Sequence, residues 1–108
     1  ATPSYDNVVE VSGEVIGIYE GGPFDVVFKL KDDTNHYYIN RGMQYYDLKL
    51  DVLSERLVGK VTSFKYIKHW SLLNPDGHMR PVAFVKEGEE VIFSRMDGDK
   101  KLATYQKK

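Results

Sequence analysis

The chain has 108 residues, with 15 Lys and Arg against 16 Asp and Glu, three His and no Cys, for a net charge of -1. Chains divide into separate cores only well above this length, and about two-thirds of the extended surface can be buried at this size, so one domain with one core is expected. This excludes an interdomain active-site cleft, a disulfide framework, a thiol nucleophile and a Cys-based zinc site, and it leaves no global basic field to attract nucleic acid or anionic lipid.

A composition of 42% hydrophobic and 29% charged residues is that of a globular chain rather than a disordered one. No apolar run approaches the length of a membrane span. The chain opens on Ala1-Thr2-Pro3-Ser4 without Met. That start fits initiator-Met removal, a trimmed chain or a mature exported protein; export is the expectation adopted, with a cytoplasmic chain as the alternative. Residues 1–7 read as an N-terminal extension, 8–95 as the folded domain and 96–108 as a polar tail.

From Val8 to Tyr19 the apolar set changes parity: Val9, Val11 and Val15 fall on odd positions, Ile16 and Ile18 on even ones. Strand side chains alternate faces with period two, so a bulge or sharp bend is required, and Gly13 and Gly17 lie where one could form. The reading is one long, coiled strand that serves two sheets. Gly21-Gly22-Pro23 supplies a turn. Asp25 to Lys31 alternates, with Val26, Phe28 and Leu30 on one face and Val27, Lys29 and Lys31 on the other, as a half-buried strand does. Asp32 to Asn35 turns the chain into a third strand, His36 to Ile39. If Tyr37 and Ile39 face the core, then His36, Tyr38 and Asn40 share the outer face with Val27, Lys29 and Lys31.

Asn40-Arg41-Gly42 breaks that strand. Leu50, Leu53 and Leu57 keep helical spacing, Asp47 or Asp51 is placed to cap the helix, and Gly59 stands where a C′ glycine belongs. Lys60 to His69 reads as a fourth strand, and Trp70 to Arg80 as a polar connection broken at Asn74-Pro75-Asp76-Gly77. Val82 to Val85 and Val91 to Phe93 close the domain as a hairpin around Glu87 to Glu90.

Three strands, a helix and further strands, with an over-long glycine-bent first strand, are similar to the oligonucleotide/oligosaccharide-binding (OB) fold. The fold class expected is therefore mainly β: a small Greek-key OB-like barrel of five or six strands, with one short helix between strands three and four. The resemblance is one of topology and spacing and covers Val8 to Arg95. The final hairpin fits it less neatly, because two short strands stand where the fold needs one long one. A six-stranded variant and another small barrel remain the alternatives.

The resemblance implies a binding surface on strands two and three, flanked by the first-to-second and fourth-to-fifth loops. Mapped through it, the face offers Lys29, Lys31, His36 and Tyr38, one loop adds Phe24, and the other adds His69, Trp70, His78 and Arg80. Aromatic planes among cations suit single-stranded nucleic acid, sugar rings use the aromatics alone, and a solvated strand face accounts for Lys29 and Lys31 equally well. Trp70 reads either as a lid on the core or as an exposed anchor. Arg41, followed by Tyr45-Tyr46, is able to grip a carboxylate or phosphate, or to be a surface arginine stacked on a tyrosine.

No catalytic signature is present. His36, His69 and His78 lack metal-ligand spacing, the serines have no G-x-S-x-G context, and there is no phosphate loop. Asp97-Gly98-Asp99 reads as a turn rather than a calcium loop. Glu87, Glu89 and Glu90 read as solubilising charges at a hairpin tip. The expectation is a non-catalytic binding module, without cofactor or metal, for a protein partner or small ligand. A single-stranded nucleic-acid-binding domain, a small metal-dependent or hydrolytic enzyme and a purely architectural domain are the rivals.

Overall fold

A computed structural model describes residues 8–67 and 77–95. These form strands β1 (Val8–Glu20), β2 (Val26–Leu30) and β3 (His36–Ile39), helices α1 (Gly42–Tyr45) and α2 (Leu50–Leu57), and strands β4 (Val61–Ile67), β5 (Met79–Glu87) and β6 (Glu90–Ser94). Antiparallel pairings run in the order β3-β2-β1-β4-β5-β6, and a parallel pairing of β3 with β5 closes the first five strands into a barrel. The barrel is mixed and mainly β, with β6 as an added strand, and its pairings are consistent with an OB-like barrel. Closure removes the strand edges that small β proteins otherwise expose.

The parity change in β1 is a bulge. Val15 pairs with Leu30 and Gly17 with Lys29, so two steps along β1 match one along β2. Val15 is buried, Val11 and Ile18 pack against the core from either side of the bulge, and Ile16 stands out at 50% exposure. The parity change expected at Ile16 thus takes effect two residues further on, at Ile18. Gly13 lies against Leu30: a Cβ there would sit 3.2 Å from its side chain.

A long strand takes the place of the short Val82–Val85 strand expected. β5 begins at Met79, so Arg80 lies within a strand and not in a loop. Its pairing with β4 skips a residue between Lys65–Phe84 and Tyr66–Val82, which lets Val82 and Val85 both enter the core across a second bulge. The nine-residue β5 is the long strand the barrel requires, and β6 is additional to it.

Two helices, not one, separate β3 from β4. Gly42 is buried at the start of α1, where a Cβ would lie 3.0 to 3.1 Å from Ile39, Leu48 and Val26. α2 buries Leu53 and Leu57 with Leu50 packed alongside, as the Leu spacing indicates. Neither expected aspartate caps it. Lys49 is the N-cap residue and makes no side-chain cap; Asp47 pairs with the Lys49 ammonium at 3.3 Å and Asp51 accepts the N–H of Val52. Gly59, at φ +90, ends the helix, and its N–H donates to the carbonyl of Val15. Phe28 meets Phe64 edge-on at 5.2 Å, and Tyr37 stacks on Phe64 at 5.7 Å, so three strands share one aromatic core.

The hairpin glutamates do more than solubilise. Glu87 pairs with Glu90 across a two-residue turn with positive φ at Gly88, and the Arg56 guanidinium of α2 bonds Glu90 and reaches Glu87 at 3.5 Å. The expected N-terminal extension and C-terminal tail, with Asp97-Gly98-Asp99, lie outside the described residues.

Candidate functional site

Antiparallel register fixes which side chains share the outer face of the sheet. Tyr19 and Tyr38 stand on either side of Val27, and Gly17 and His36 on either side of Lys29. The predicted face of Lys29, His36 and Tyr38 is therefore brought together. Lys31 is exposed just beyond β2. Parallel pairing sets Met79 beside His36 and Pro81 beside Tyr38, and the His36 N–H donates to the carbonyl of His78 at 2.6 Å. The backbone of His78 thus joins this edge, while its residue as a whole is exposed.

Arg80 parts from the group. It pairs with Tyr37, whose side chain points into the barrel, and its guanidinium lies 5.7 Å from the ring centroid of Tyr66. Its Nε is buried and without a hydrogen-bond partner among the described residues. His69 and Trp70 lie outside the described residues.

Phe24 and Arg41 meet where the β1–β2 turn approaches the end of β3. The Arg41 N–H donates to Oδ1 of Asp25 at 2.7 Å, and the Met43 N–H donates to the carbonyl of Phe24 at 3.0 Å. Arg41 Nε donates to Oε1 of Gln44 at 2.7 Å, and its guanidinium lies 5.9 Å from the ring centroids of both Phe24 and Tyr45. Those rings are 44% and 60% exposed. Phe24 and Arg41 both hold positive φ, 67° and 51°. A bulky side chain in that region is an outlier that costs on the order of 1–3 kcal/mol. Sequence reading paired Arg41 with the tyrosines but placed Phe24 on a separate surface.

The Lys29 ammonium bonds the carbonyl of Asp33 within its own turn. The Tyr38 phenol is pushed up by burial, and further by the negative charge of Asp25. Between Tyr19, His36 and the Gly21-Gly22 turn lies an open hollow of about 270 Å³, floored by Val27. Tyr19, Asp25, Val27 and Met79 were not among the expected site residues. The signal available for Tyr19 was the parity change before it, which turns it to the outer face.

No group of three or more His, Asp or Glu among the described residues is placed to hold a metal ion, and no helix among them is long and apolar enough to cross a membrane. Comparison with known proteins finds no matching family model, no matching curated protein and no matching solved structure.

Proposed function

We propose that the chain is a binding module on an OB-like barrel that engages a protein partner through the knuckle of Phe24, Arg41 and Tyr45. The observation that carries this reading is the pairing of two exposed aromatic residues with the Arg41 guanidinium, on backbone held at positive φ at Phe24 and Arg41. Tyr, Trp and Arg dominate the energetics of protein interfaces, because they bury large area with few rotors and still present polar groups. A glycine would hold the turn at position 24 without strain, so an exposed Phe there is better explained by what it contacts than by the fold. The same loops carry Glu20, Asp25 and Asp47. A polyphosphate strand would meet those carboxylates beside Arg41, which favours a protein over nucleic acid.

Selection of a displayed random peptide library on the immobilised protein tests this. Enriched peptides are expected to bind in solution and to lose about fivefold or more in affinity on Phe24→Ala or Tyr45→Ala, as for interface residues worth more than about 1 kcal/mol. Failure to enrich any sequence, or binding indifferent to both substitutions, overturns the reading. Salt-sensitive binding of labelled single-stranded oligonucleotides with no peptide binding would replace it with the nucleic-acid reading.

A further inference from the structure

We propose that the hollow over Val27 is a site for an alkylammonium group, held by the carboxylate of Asp25. The proposal goes beyond the knuckle and stands on different side chains. Among the residues that line the hollow, Asp25 is the one carboxylate, and no Lys or Arg joins it there. Its Oδ1 accepts the Arg41 N–H, and no side-chain cation pairs with the carboxylate among the described residues. Two basic residues of the face and turn are directed elsewhere: Lys29 bonds the carbonyl of Asp33, and Arg41 bonds Gln44 and lies over the rings of Phe24 and Tyr45. Glu20, whose Oε2 accepts the Phe24 N–H, adds a second negative charge to the same connection.

The walls suit a cation with an apolar stem. Tyr19 presents an aromatic ring, and its hydroxyl shares a 2.9 Å hydrogen bond with Nδ1 of His36, so the two side chains brace each other before anything binds. Met79, partly exposed, lines the hollow beside them, while Val27 at its base is covered. The Gly21-Gly22 turn packs closely along the hollow: a Cβ on Gly21 would come within 2.4 Å of Val27, and one on Gly22 within 3.0 Å of Oδ2 of Asp25. Negative charge at one side, an aromatic residue and a methionine together select an ammonium on a short hydrocarbon chain, as a free amine or as a lysine side chain.

The test is an amide-shift titration of the whole chain with n-butylammonium chloride, n-butanol and sodium n-butyrate at constant ionic strength. Saturable shifts at Gly21, Gly22, Val27 and His36 are expected with the ammonium alone. Asp25→Asn keeps the acceptor for the Arg41 N–H while removing the charge, and should weaken binding about fivefold, the worth of a partly exposed ion pair. Nα-acetyl-lysine N-methylamide binding as well as butylammonium assigns the site to a lysine side chain, and its failure beside butylammonium binding assigns it to a free amine. Equal binding of butanol, preference for butyrate, shifts elsewhere on the molecule, or an Asp25→Asn chain that binds unchanged each overturns the proposal. Should that variant not fold, the three-ligand comparison on the unaltered chain still decides.

Discussion

Asp25 accepts the backbone N–H of Arg41 through Oδ1 at 2.7 Å, joining the start of β2 to the residue that leaves β3 in a left-handed conformation. One carboxylate thereby fixes the strained residue from which the Arg41 side chain reaches two exposed rings, and offers its remaining surface to the hollow on the sheet.

Removing that acceptor should therefore cost more than removing its charge. Asp25→Ala leaves the part-buried Arg41 N–H without its partner and is expected to destabilise the fold by about 1–2 kcal/mol. Asp25→Asn, with an oxygen in the same place, should lose less than half of that. Urea unfolding of the two variants beside the parent chain measures the difference.

Tyr37 carries an alkaline limit on stability. Burial, and then the hydrogen bond it donates to Asp33 Oδ2 at 2.7 Å, push its phenol up to about 12. An unfolded chain releases the same proton near pH 10, so the stabilisation is complete below about pH 10 and is lost as the pH rises toward about 12. The effect is on the order of 3 kcal/mol when complete. Tyr38, also raised, acts in the same direction. Urea midpoints should be level from pH 8 to 9 and fall steeply from 10 to 11.5, and Tyr37→Phe should flatten most of that fall.

Arg56 ties α2 to the β5–β6 hairpin through Glu90 and Glu87, with all three side chains between a quarter and a third exposed. Arg56→Ala leaves two glutamates facing each other across the turn and should destabilise by about 1 kcal/mol. The loss should shrink in high salt. A double-mutant cycle with Glu90→Gln is expected to return a favourable coupling; a coupling of zero would mean that the contact contributes packing alone.

The bulge in β1 separates neighbours of very different worth. Leu30, buried opposite Val15, should cost about 2–5 kcal/mol on Leu30→Ala. Ile16, half exposed at the bulge, should tolerate Ile16→Ser within about 0.5 kcal/mol. Thermal unfolding of the two variants checks these placements, and Ile18→Ser, expected to cost clearly more than Ile16→Ser, tests the bulge itself, since a strand running on from Val15 without it would turn Ile18 outward and leave Ile16 exposed either way.

Local periodicity by itself determined most of the barrel. The alternation of Val26, Phe28 and Leu30, the parity break before Ile18, the Leu50, Leu53 and Leu57 spacing and the Gly59 stop each depend on residues a few positions apart, where strand and helix geometry leave little choice. Tertiary structure alone decided which of these pieces touch. The bulge at Ala83 that draws Met79 and Arg80 into β5, and the parallel closure of β3 on β5, both depend on how a sheet curls to meet its own edge. The contacts that make the candidate sites join residues 16 positions apart in Asp25 and Arg41 and 17 apart in Tyr19 and His36, and the clamp of Arg56 on Glu90 spans 34. No pattern of spacing encodes such pairs. They exist because the closed barrel sets one turn against another, which is also why Phe24 and Arg41, read apart in the sequence, share one surface while Arg80 leaves it.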